Sequence, residues 1–175
     1  MSSSSDPAAH SSAGAPESVR LSARSFAVMA YAKLAGLVLS GFAGAMSSTS
    51  VPEDFRAQIP QTIDPQTFMT WVKVASVGVN VVFGILFAGL IIVLSSRYVS
   101  GARASAGAGR ALSFIAGFLA LDSFVGLAGV GQFDVELWLT LALGFAAIVC
   151  GVAAILGLLW FVRKESTTWV EKVSG

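Results

Sequence analysis

The sequence predicts an all-α membrane protein: a bundle of four transmembrane helices at about 25–46, 66–96, 111–130 and 135–162, preceded by a disordered tail. Three observations carry this expectation. Charged residues make up only 12% of the chain against 55% apolar, whereas a soluble domain carries about 25% charged residues. The apolar residues gather into four runs. Each has roughly 20 residues or more, enough at about 1.5 Å per residue to cross a hydrocarbon core of about 30 Å. The basic residues outside those runs fall on one side of a four-crossing topology.

Residues 1–22 are rich in Ser, Ala, Pro and Gly and bury too little apolar surface to offset the entropy of ordering them, so they read as a disordered tail. The first span follows Arg20 and Arg24. A cleaved signal peptide ending near Ala43-Gly44-Ala45 is the rival reading, and the long polar lead and Lys33 inside the run argue against it. In the loop that follows, Ser50-Val51-Pro52-Glu53 has the form of a capping box, which predicts a short surface helix near 51–58 closed before Pro60. Asp64-Pro65 places an N-cap and an N1 proline at the head of the second span. Ser95 to Arg110 reads as a connection in which Gly101, Gly107 and Gly109 break helicity. The third span ends at a tight turn over Gly131, Gln132 and Phe133. Asp134 and Glu136 then open the fourth, where negative charge suits the helix dipole. Arg163 and Lys164 close it, and residues 165–175 form a short tail.

The chain thus divides into a tail (1–22), a four-helix membrane domain (23–164) and a second tail (165–175). Arg20, Arg24, Arg97, Arg103, Arg110, Arg163, Lys164 and Lys172 share one side, while Glu53, Asp54, Asp64, Asp134 and Glu136 share the other with Arg56. The Lys/Arg bias puts both termini in the cytoplasm, as expected of a multi-pass protein of the plasma membrane. Trp138 and Trp160, about 33 Å apart along a helix, mark the two interfaces of the fourth span, and Trp71 and Tyr98 those of the second.

Helices in lipid associate through small residues and interhelical hydrogen bonds rather than hydrophobic burial. Gly36, Gly44, Gly84, Gly126, Gly144 and Gly151 lie on helical stripes and are the expected packing positions. Lys33, Ser40, Asn80 and Asp122 form the expected intramembrane polar cluster. An ionisable residue inside a span costs about 3 kcal/mol on insertion scales, so each needs a reason. Lys73 stands about one turn from the outer boundary and reaches the headgroups by snorkelling. Asp122 lies about 16 Å from the inner boundary, too deep and too short to snorkel. A structural pair or hydrogen-bond knot with Lys33, Asn80 or Ser40 is its favoured explanation, ahead of a contact to a partner subunit or a role in proton or ion handling.

His10 and Cys150 are the only residues of their types. That excludes an intrachain disulfide, a bis-histidine haem and an imidazole-rich metal site. No cofactor is expected. Near-zero net charge gives no case for nucleic acid. With no catalytic constellation, the expectation is a non-catalytic accessory, assembly or regulatory subunit that meets the lipid bilayer and another membrane protein or itself. The alternative is a small transporter or channel component using Asp122 and Lys33.

Overall fold

The structure, a computed structural model, describes residues 14–46, 64–101, 105–129 and 135–174. Among them are five helices and no strand: α1 (Glu17–Met46), α2 (Pro65–Val99), α3 (Ser105–Gly129), α4 (Leu137–Phe161) and α5 (Lys164–Ser174). The first four are long and apolar enough to cross a membrane. The expected helix at 51–58, the turn at 131–133, Arg56, Arg103, Asp134 and the first 13 residues of the tail lie outside the described residues.

The helix ends follow from local chemistry. Asp64 caps α2 by accepting the Thr67 N–H at 2.9 Å, with Pro65 behind it in the first turn. At the other end Gly101 turns the chain at φ 68°, a conformation open to glycine at no steric cost. Glu136 stands at the N-cap of α4 without capping through its side chain. Its carboxylate instead accepts the Trp138 indole N–H at 2.5 Å.

Going round the bundle, α1 packs along α2 on one side and α4 on the other. Helix α3 packs on α4 and less extensively on α2, so α1 and α3 stand on a diagonal. Small residues such as Ala30, Ala88, Ala116 and Ala154 fill much of the interior around a few large apolar side chains, while Phe114, Phe118, Leu141, Phe145, Phe83 and Leu86 point outward. So much large apolar surface on the outside suits lipid rather than water.

The bundle is not uniform along its length. One end carries Arg20, Arg24, Arg97, Arg110 and Arg163 and is called the basic end below. The main core lies toward it, built on Phe26, Met29, Ile91, Tyr98, Leu112 and Leu119. A second, smaller cluster of Ala43, Leu139 and Leu143 ties α1 to α4 farther along. No residue of α2 between Gln66 and Phe83 is buried, and none of α3 beyond Ser123. Among the described residues, burial is densest toward the basic end, and at the opposite end it is confined to the contact between α1 and α4.

Several expectations are corrected. The first tail is shorter than 1–22, because α1 already begins at Glu17. Pro16 accepts the N–H groups of Val19 and Arg20 at 3.1 Å each. Ser18, Val19 and Ser22 are buried against the rest of the bundle, and this tertiary packing overrides a weak local propensity. Gly107 and Gly109 do not break helicity but lie inside α3. A Cβ at Gly109 would stand 2.9 Å from both the Tyr98 and Phe161 rings, so the absence of a side chain is what lets these rings approach. Tyr98 is therefore no interface marker: it is 0% exposed and packs on Phe161 with ring centroids 5.8 Å apart. The second tail is helical over most of its length, as Lys164–Ser174 forms α5. Trp169 and Val170 of that helix pack against the core.

Candidate functional site

Lys33 comes from the middle of α1 and Asp122 from the last third of α3. Those helices face each other across the diagonal and touch little elsewhere. The two side chains bridge that gap: Lys33 Nζ donates to Asp122 Oδ2 at 2.5 Å. Their side chains keep 26% and 40% exposure respectively. Pairing removes the cost of a lone charge at membrane depth. It also holds together two helices that have little else in common.

The exposure has a structural source. A cavity of about 340 Å³ opens beside the pair, between α1, α3 and α4. Helix α1 contributes Lys33, Gly36 and Ser40 to its wall, α3 contributes Asp122, Gly126 and Gly129, and α4 contributes Ala146, Ala147 and Cys150. No α2 residue lines it. The cleft thus has an ion pair as its polar element and small residues over most of the wall.

Of the expected polar cluster, the structure brings together Lys33 and Asp122, and places Ser40 along the same wall. Asn80 does not join them. Its amide donates to the Ser76 carbonyl of its own helix at 2.9 Å, and it sits at the α1–α2 contact, where a Cβ on Gly41 would meet it at 3.7 Å. Asn80 was placed with the cluster on helical spacing alone, and the rotation of α2 turns that stripe toward Gly41 rather than toward Asp122.

The packing glycines divide in the same way. A Cβ at Gly84 would meet Leu34 at 2.8 Å, one at Gly151 would meet Ser123 at 3.1 Å, and one at Gly36 would meet Ala146 at 3.8 Å. These three stand where neighbouring helices come close. Gly144 is half-buried on α4. A Cβ at Gly44 or Gly126 would have nothing within 4 Å among the described residues. Both lie toward the end opposite the basic end.

The tightest glycine contact was not expected. A Cβ at Gly157 would lie 2.5 Å from the Phe26 ring, and the Gly157 carbonyl accepts the Ser22 hydroxyl at 2.9 Å. Ser22 and Phe26, one turn apart on α1, clasp α4 from above and below. A hydroxyl cluster surrounds this clasp. Ser166 donates its hydroxyl to the Trp160 carbonyl at 2.8 Å and accepts from Ser18 Oγ at 3.0 Å, pinning α5 to α1 and α4. The only sequence signal for it is the run of serines at 18 and 22, one helical turn apart on a segment otherwise taken for a tail.

No protein-family profile, curated protein or solved structure matches this chain, so what the site can do is read from its own residues.

Proposed function

We propose that the protein is a non-catalytic accessory, assembly or regulatory subunit of a larger membrane complex. In this reading it is a multi-pass protein of the plasma membrane with both termini in the cytoplasm. The cleft beside Lys33 and Asp122 receives a helix of another membrane protein or of a second copy. The observation that carries the reading is the pair Gly126 and Gly129. Both line the cleft, and a Cβ at either would have nothing within 4 Å. Small residues let helices approach closely in lipid. Among the described residues these two bring nothing close, and in this reading their size serves a helix outside the chain. The ion pair adds a polar contact that an incoming helix can engage by hydrogen bonding.

The test is Gly126→Leu, which fills the cleft, against Gly89→Leu, which adds the same bulk at an exposed α2 position with nothing within 4 Å. After mild detergent extraction the wild type and G89L run as a complex on native gels, and G126L runs as the lone chain with an unchanged melting temperature. Migration of the wild type as a monomer removes the proposal.

A second reading rests on the same cleft: a small transporter or channel component in which a substrate or proton reaches Asp122, whose side chain keeps 40% exposure. It requires the pair to open, because Asp122 is already engaged by Lys33. Asp122→Asn separates the two, abolishing flux under the transport reading while leaving the complex on native gels.

A further inference from the structure

A second groove lies at the basic end, between α1 and α2. Its wall is Arg20, Arg24 and Ala27 of α1 and Ser95, Ser96 and Val99 of α2. Arg20 and Arg24 are one turn apart and therefore project from the same face of α1. Both are exposed, and neither forms an ion pair with any described residue. Ser95 differs from the serines around it. Ser96 and Ser100 return their hydroxyls to carbonyls of their own helix at 2.8 Å each. Ser95 is only 7% exposed, yet its Oγ has no hydrogen-bond partner among the described residues. A buried hydroxyl left without a partner costs about 1–3 kcal/mol, and because Ser95 belongs to the groove wall, a turn of its side chain brings that hydroxyl to a group seated in the groove.

We propose that this groove binds the headgroup phosphate of an anionic phospholipid. Guanidinium groups match phosphate oxygens in geometry as well as charge, and the Ser95 hydroxyl donates to a further oxygen. The groove's level on the bundle suits a lipid. One turn farther from the basic end the same faces carry Val28 on α1 and Ile92 and Val93 on α2, all exposed. Acyl chains thus continue from the phosphate over an apolar surface. A general attraction between basic side chains and an anionic leaflet needs neither a groove nor an orphaned hydroxyl, and this site has both. The proposal rests on the helices crossing a bilayer and is independent of the accessory-subunit reading.

The test uses the full chain purified in neutral detergent and titrated separately with phosphatidylglycerol, phosphatidylcholine and inorganic phosphate. Retained lipid is read by native mass spectrometry and stabilisation by melting temperature. Phosphatidylglycerol binds the wild type and raises its melting temperature, and phosphatidylcholine binds more weakly. Arg20→Gln/Arg24→Gln weakens phosphatidylglycerol binding about thirtyfold. Ser95→Ala, which removes one oxygen and no charge, weakens it about fivefold; this variant decides the matter if the double variant fails to fold. Arg110→Gln/Lys164→Gln makes the same change in net charge away from the groove and leaves binding intact. Equal loss in that control shows diffuse charge attraction and overturns the site. Unchanged binding in Ser95→Ala overturns the seat. Equal stabilisation by millimolar inorganic phosphate overturns the lipid as occupant.

Discussion

The pair Lys33–Asp122 is a contact between two helices that otherwise barely meet, so its loss is not shared among neighbours. Truncating either partner leaves the other charge facing the cleft alone. Lys33→Ala and Asp122→Ala are each expected to lower stability by about 1–3 kcal/mol in detergent. The double variant is expected to lose less than the sum of the two. Chemical unfolding of all three variants measures this coupling, and strict additivity shows that the pair contributes nothing. The pairing was legible in the sequence, because a carboxylate too deep to snorkel and a lysine on a neighbouring span leave few other solutions. Tyr98 was not. An aromatic residue near the end of a span reads as an interface anchor, and only the approach of Gly109 to within contact of its ring shows that it is buried. Which way a side chain near a helix end turns depends on what packs against it, and span periodicity does not record that. Glycine spacing is ambiguous in a related way. Gly126 and Gly151 have the same stripe pattern, but one faces open space and the other Ser123.

At the scale of elements, the ends of the helices differ most from expectation, and each difference comes from tertiary contact. Glu17–Ala23 and Ser105–Arg110 are helical where local composition argued for a tail and a loop. Both are held by the layer at the basic end in which Ser22, Phe26, Tyr98, Phe161 and α5 meet. The four spans themselves were readable from hydropathy and capping, with Asp64-Pro65 opening α2 as expected. Two predictions belong to this layer. Gly157→Ala drives a methyl into the Phe26 ring and is expected to cost about 1–3 kcal/mol, as overpacking does. Gly117→Ala, where nothing lies within 4 Å, is neutral or slightly stabilising, since alanine favours helix. Melting temperatures of the two variants in the same detergent check this directly. Truncation after Arg163 removes α5, with Trp169 and Val170 from the core edge and the Ser166 hydroxyl from Ser18. It is expected to lower the melting temperature and to speed hydrogen exchange in α1 from Glu17 to Ala23, while exchange near Leu139 at the far end stays unchanged.

At the scale of the molecule, the uneven burial along the bundle, densest toward the basic end among the described residues, was not legible. It depends on helix tilt, and four apolar runs of adequate length are equally compatible with parallel or splayed packing. The position of the cleft, on the far side of the main core from the basic end, couples it to topology. With the basic end cytoplasmic, the cleft opens toward the far side of the membrane, and Ser40 and Gly126 lie on its path. In a Cys150→Ala background, Ser40→Cys is expected to react with a membrane-impermeant thiol reagent added from outside intact cells. Leu119→Cys, buried in the core toward the basic end, stays unreactive under the same conditions. The proposed complex adds a second arm. In native membranes a partner helix shields Gly126→Cys, and detergent that disperses the complex restores its labelling. Reaction only after the cytoplasmic face is exposed reverses the orientation. Equal labelling of Gly126→Cys before and after dispersal leaves the cleft open to water and moves the balance from the docking reading to transport.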